Sequence, residues 1–277
     1  MSDSTNSVRL TERTRGSQSL LVGVIVLLVS ACGGGSGGTA VVETPPPPSI
    51  STTGADISLL FMGNSHTTNN NVPDMVAAMV RLGKPGKTVA AKEAPNWMFL
   101  EERANDVASL TLLRSQRWHY VILQAQAISA SGQFFYPTTG AEQLVRLSRQ
   151  VGALPILFPE WPRLNIAESK TIYDKYVSIA VKEPSCVPPI PQAFDLARAR
   201  QPLIILHDND GNHSAPAGAF LAALVLYATI TGLSPADLPA VIDFNVDADV
   251  QGRLRLIAAE TVQTIAPRFW CAADQAV

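Results

Sequence analysis

A surplus of basic charge is absent from this sequence. Its 21 Lys and Arg stand against 23 Asp and Glu, for a formal net charge of -2 at pH 7. Without a basic stripe there is little to neutralise a phosphate backbone, so nucleic acid is set aside as a partner. Cysteine is scarce, with three residues in 277, and a domain of well over 200 residues can bury a full core without staples. No internal repeat is visible. Charged residues make up 16% and hydrophobic residues 47%, which excludes a disordered or collagen-like chain and leaves a globular one.

The chain also lacks an apolar run long enough to span a bilayer comfortably. The run nearest to that is Ser19–Ala31, SLLVGVIVLLVSA, behind a positive segment carrying Arg9, Arg13 and Arg15. This is the pattern of an export signal peptide. Its end, Val29-Ser30-Ala31-Cys32, resembles the lipobox of bacterial lipoproteins. The resemblance implies cleavage before Cys32, a diacylglycerol on its thiol, and an exported, membrane-anchored protein. Gly33 stands where inner-membrane retention usually needs Asp, which implies the outer membrane. Residues 1–31 are therefore read as signal peptide. Residues 32–56, with GGGSGG and TPPPPS, are read as a tether of flexible and stiff parts. In an oxidising compartment the other two cysteines, Cys186 and Cys271, are expected to form a disulfide.

From residue 57 to the end, short apolar runs alternate with amphipathic stretches. Strands are predicted at Ile57–Met62, Thr88–Ala91, Tyr120–Gln124, Leu154–Phe158 and Pro202–Leu206. Helices are predicted at Val72–Leu82, Glu142–Val151, Lys170–Val181, Ala215–Gly232 and Asp247–Ile265. Such alternation gives parallel strands joined by right-handed crossovers. The expected fold is an α/β three-layer α/β/α sandwich around a parallel sheet of about five strands. In such sheets ligands bind beyond the C-terminal ends of the strands. That rule points to 63–71, 94–98, 124–129, 159–164 and 207–214.

Two of those segments hold a nucleophile and its partners. The first strand runs into Gly63-Asn64-Ser65-His66-Thr67, where glycine permits a sharp exit and the serine stands near the start of a helix. Ser65 or Thr67 serving only as a helix cap is the plainer reading of that turn. The last predicted strand runs into His207-Asp208-Asn209-Asp210-Gly211-Asn212-His213-Ser214, with Asp210 and His213 three residues apart. An aspartate so placed can orient a histidine that takes a serine proton and returns it to a leaving group. Thr67 stands where a G-x-S-x-G elbow needs its second glycine, and the acid and base are close neighbours. Both facts argue against an α/β-hydrolase. A calcium loop counted from Asp208 needs glycine where His213 stands, so no metal site is expected.

Taken together, GNS after the first strand and DGNHSAPAGAFLAALVLYATITG after the last resemble the first and last blocks of the SGNH/GDSL hydrolases. WHYVILQAQ at 118–126 resembles the third block of a branch with glutamine in place of asparagine. The resemblance covers residues 57–268. It implies a flavodoxin-like sheet, a Ser65–His213–Asp210 triad and no cofactor. The implied oxyanion hole uses the Ser65 N–H and an amide from Gln124 or Gln126, which strand alternation places on one face. The second block normally gives a glycine N–H. Here the segment is Glu93-Ala94-Pro95-Asn96-Trp97, so Asn96 is the candidate donor.

The expectation is a serine esterase acting on a small acyl ester or an acylated carbohydrate. O-acyl transfer on the same fold and glycan binding without turnover are the alternatives. Trp161 is read as lining the cleft rim or packed in its loop. His66 and His119 are read as structural, and Phe220, Leu221, Leu224, Val225 and Tyr227 as helix core.

Overall fold

Ile57–Met62 (β1) is apolar on both faces, as a strand sandwiched between two helical layers must be. The computed structural model describes residues 54–129 and 133–272. The signal peptide, Cys32 and nearly all of the tether lie outside them. After β1 come Ser65–Thr68 (α1), a 3-10 turn at Asn69–Asn71, Val72–Gly83 (α2) and Val89–Glu93 (β2). Two short helices, Leu100–Arg103 (α3) and Val107–Arg114 (α4), precede Tyr120–Leu123 (β3), Thr139–Gln150 (α5) and Leu154–Leu157 (β4). Ser169–Lys182 (α6), Ile190–Arg200 (α7), Pro216–Thr231 (α8) and Ala248–Thr264 (α9) complete the described chain.

The strands form one parallel sheet in the order β2-β1-β3-β4. Strand alternation divides its side chains between two cores. Leu59, Phe61, Tyr120, Ile122, Leu154 and Ile156 face a core built with α2, α7, α8 and α9. Leu60, Met62, Val121, Leu123 and Leu157 face the other, built with α3, α4, α5 and α6. The architecture is therefore the three-layer α/β/α sandwich. Helix α8 is apolar all round, and every residue from Gly218 to Ile230 is buried. A helix with no polar face is a core helix, and α8 lies against α2, α7 and α9. The Phe220–Tyr227 stripe is core accordingly.

One predicted strand does not form. Four strands, not five, make the sheet among the described residues. In Pro202–Leu206 the side chains of Leu203 and Ile205 are 93% and 74% exposed, and only Leu206 is buried. The place beside β4 is taken instead by Cys186, whose N–H donates to Pro155 O and whose carbonyl accepts from Leu157 N–H. Cys186 is bonded to Cys271, with 4.3 Å between their Cα atoms. The bond fixes the segment after α9 to the edge of the sheet, where Ser185 N–H also donates to Trp270 O.

Candidate active site

The site is assembled at the C-terminal end of β1. Gly63 leaves the strand where a Cβ would fall 2.6 Å from Gln124 Oε1, so a side chain is excluded. Asn64 caps α1, its Oδ1 accepting from His66 N–H at 3.0 Å. With Asn64 as the cap, Ser65 is the first residue of α1. Its own N–H donates to no other described residue, as expected at a helix start.

The loop before α8 brings the partners. Gly211 has φ +67°, which lets the chain fold back over Asp210. Asp210 Oδ1 then accepts from the Asn212 and His213 N–H groups, each at 2.9 Å. Its Oδ2 lies 2.5 Å from His213 Nδ1, and His213 Nε2 lies 2.9 Å from Ser65 Oγ. The hydrogen bond from His213 and the two backbone N–H groups hold the Asp210 carboxyl well below the usual carboxylate range. An ionised Asp210 can only accept, so the His213 proton sits on Nδ1. Nε2 is left bare to accept the Ser65 hydroxyl proton.

A clip spans the two loops. Asn70 Nδ2 donates to Ser214 O at 2.7 Å, tying the segment after Ser65 to the residue after His213. Asn70 and Asn71 have φ of 58° and 56°, a conformation that asparagine tolerates better than most residues. Three consecutive asparagines after the nucleophile were the sequence signal for this turn.

His66 lies behind the pair. Its ring stacks on His213 with centroids 5.0 Å apart, and its centroid is 5.2 Å from that of Trp161. Burial, with the neighbouring His213 second, lowers its pKa to about 4. Trp161 is 2% exposed, stacked on Phe194, with its Nε1 donating to Asn212 O. Trp161 is therefore packed rather than raised at a rim, and it forms part of the wall of the pocket it shares with His66 and Glu160. His119 Nδ1 pairs with the Ser58 hydroxyl at the far end of the sheet. His207 is buried against Pro162 O at 2.7 Å.

The glutamines part company. β3 ends at Leu123, and Ala125 has φ +79°, so alternation does not carry Gln124 and Gln126 to one face. Gln126 Nε2 donates to Ala127 O and Pro137 O, both at 3.0 Å, and is committed to its loop. Gln124 Oε1 accepts from Asn64 N–H and Thr67 Oγ1 at 3.0 Å, so it braces the serine turn. Its Nε2 is sealed from solvent next to the Glu160 carboxyl, whose pKa it helps to lower. As folded, neither glutamine offers an amide to the space beside Ser65.

Asn96 is exposed, has φ +63°, and neither its backbone N–H nor its side-chain amide bonds to another described residue. A left-handed backbone is where glycine is the usual choice and asparagine the next. Arg103 enforces this conformation at Asn96, and nothing in the sequence LEER marked that residue. It is 0% exposed, and its guanidinium donates to Asn96 O and Gly63 O at 2.7 Å, Pro95 O at 3.2 Å and Ser109 Oγ at 2.7 Å. One side chain therefore locks the serine turn to the Asn96 loop.

No protein-family model matches the chain, and no curated protein matches it in sequence. Solved structures do. A DUF4886 family protein from Bacteroides uniformis is 17% identical with a TM-score of 0.59, over 76% of this chain and 96% of that one. A Slackia heliotrinireducens protein described as a candidate SGNH hydrolase is 24% identical with a TM-score of 0.49, over 62% and 97%. The esterase EstA from Pseudoalteromonas sp. is 14% identical with a TM-score of 0.46, over 64% and 98%. The parallel sheet between two helical layers is the architecture that the resemblance to the SGNH hydrolases implies, and the chain shares its fold with the Bacteroides uniformis protein.

Proposed function

We propose that this protein is a serine esterase of the SGNH type, hydrolysing small acyl esters through an acyl-enzyme on Ser65. The observation that carries the reading is the unbroken line Ser65 Oγ, His213 Nε2, His213 Nδ1, Asp210 Oδ2, with steps of 2.9 and 2.5 Å. Ser65 Oγ attacks the acyl carbonyl as its proton passes to His213 Nε2. Asp210 holds the ring and stabilises the imidazolium that forms. The charge on the carbonyl oxygen falls to the Ser65 N–H, an unpaired donor at the start of α1, and to an amide of Asn96, whose loop Arg103 ties to the serine turn. His213 gives its proton to the departing alcohol. Water, deprotonated in turn by His213, then releases the acid.

Acetyl groups on a carbohydrate outside the cytoplasm are the substrate we propose, and a lipid anchor at Cys32 is the proposed link to the membrane. The export signal supports both. The test is p-nitrophenyl acetate hydrolysis by the full chain. Ser65→Ala and Asp210→Asn should each lose roughly 10³-fold or more in kcat. A folded Ser65→Ala variant as active as the parent would overturn the reading.

A further inference from the structure

We infer that the pocket beside the triad is a subsite for a hydroxyl group on the alcohol portion of the substrate, with Glu160 as its specificity-determining residue. This rests on the esterase reading above. The pocket encloses about 410 Å³ and shares two residues with the catalytic surroundings, His66, stacked on His213, and Asn212, next to it in the chain. Glu160 lines it, and no step of the proposed chemistry uses that carboxyl.

Glu160 receives the Tyr176 hydroxyl and the Gln124 amide, which leaves carboxylate lone pairs for a further donor. Its Oε2 accepts from the Tyr176 hydroxyl at 2.8 Å. Tyr176 is fully buried and accepts in turn from Gln126 N–H at 3.0 Å, so the phenol proton is directed at Glu160. No cation pairs with Glu160 among the described residues. Arg163, in the same pocket, is committed to Glu168 through Nε and Nη2 at 3.0 and 2.8 Å. Burial pushes the Glu160 carboxyl up to about 7, against the Tyr176 and Gln124 hydrogen bonds that pull it down, while the Glu168 charge adds to the rise. A group that titrates there both donates and accepts near neutrality. A hydroxyl, itself donor and acceptor, fits either form, whereas an ammonium fits only the anion. The partly exposed Phe99 and Tyr136 supply apolar surface for the carbon skeleton.

The experiment compares glycerol monoacetate with propyl acetate, its analogue lacking both hydroxyls, as ligands of the full-length Ser65→Ala protein in an NMR titration. The expected result is binding of glycerol monoacetate tighter by about tenfold or more, since an unmet acceptor in the pocket rejects the analogue. Glu160→Leu should bring the two within about twofold, and Glu160→Gln, which keeps a donor and an acceptor, should restore most of the preference. Equal binding by the Ser65→Ala protein overturns the inference, and that result needs no Glu160 variant to fold. A preference that survives in folded Glu160→Leu overturns the role of Glu160. Tighter binding of acetylcholine than of glycerol monoacetate would make the pocket a cation site and overturn the hydroxyl assignment. Absence of p-nitrophenyl acetate hydrolysis by the parent protein speaks against the esterase reading alone, because the titration does not depend on turnover.

Discussion

At the scale of single residues, His66 bears on how His213, the proposed base, is held. The side chain of Asp210 is 49% exposed, so a carboxylate in water alone orients His213 from its edge. The face of the ring is held by His66, backed by Trp161. A neutral aromatic face tolerates the imidazolium that forms on His213, whereas a charged one would repel it. His66→Phe should therefore keep most activity. His66→Ala should lower kcat roughly ten- to a hundredfold with KM little changed, as misplacement of a reacting group does. Equal loss in both variants would show that the His66 nitrogens matter. Stability gives a second reading. With a folded pKa of about 4 against 6.5 for a free histidine, the native state binds fewer protons than the unfolded chain in that window. Stability then falls as pH drops from 6.5 to 4. In thermal melts His66→Phe should gain on the parent as pH falls through that window, and a constant difference would contradict the assignment.

At the scale of elements, the site is a junction of turns that different strands deliver side by side. The apolar runs of β1, β3 and β4 were legible because a strand buried on both faces needs them, and the long helices because their apolar spacing is regular. Pro202–Leu206 was misread because composition alone does not say whether an apolar run is covered. Cys186 took the sheet edge, and Leu203 and Ile205 stayed in water. The joints between turns are made by Asn70 and Arg103. Asn70→Ala cuts the clip to Ser214, so the Ser65–His213 distance should lengthen. The expected effect is a fall in kcat of roughly ten- to a hundredfold with a small change in melting temperature. Arg103→Met leaves three part-buried carbonyls and the buried Ser109 hydroxyl without that donor, so it should destabilise the fold by about 1–3 kcal/mol as well as lower the activity. An Asn70→Ala enzyme with parental kcat would remove the clip from the account.

At the scale of the whole molecule, the two halves of the chain make separate claims. The signal and tether are a reading of residues 1–56, whereas the Cys186–Cys271 bond belongs to the folded part. Such a bond persists in an oxidising compartment, which the proposed export would provide. In a bacterial host, the parent chain should sediment with membranes and Cys32→Ser should not. In the same samples Cys186 and Cys271 should resist alkylation until reduced. Soluble parent protein would sink the anchor, and free thiols would sink the compartment.

By itself the sequence determined the alternation of strand and helix and the places where loops meet at one edge of the sheet, which follow from local periodicity, and the short spacing of Asp210 and His213. The pairing of those two with Ser65, 148 residues before His213, was legible only through the resemblance of the first and last blocks to the SGNH/GDSL hydrolases. Only the tertiary structure decided that the two glutamine side chains are engaged elsewhere. A left-handed Ala125 separates Gln124 from Gln126, and a buried Arg103 ties the left-handed Asn96 to the serine turn. It also turned Trp161 inward, placed His66 behind His213 and left Glu160 facing an open pocket. Those outcomes depend on backbone torsions and on contacts between residues tens of positions apart, and neither is written in the pattern of apolar and polar residues.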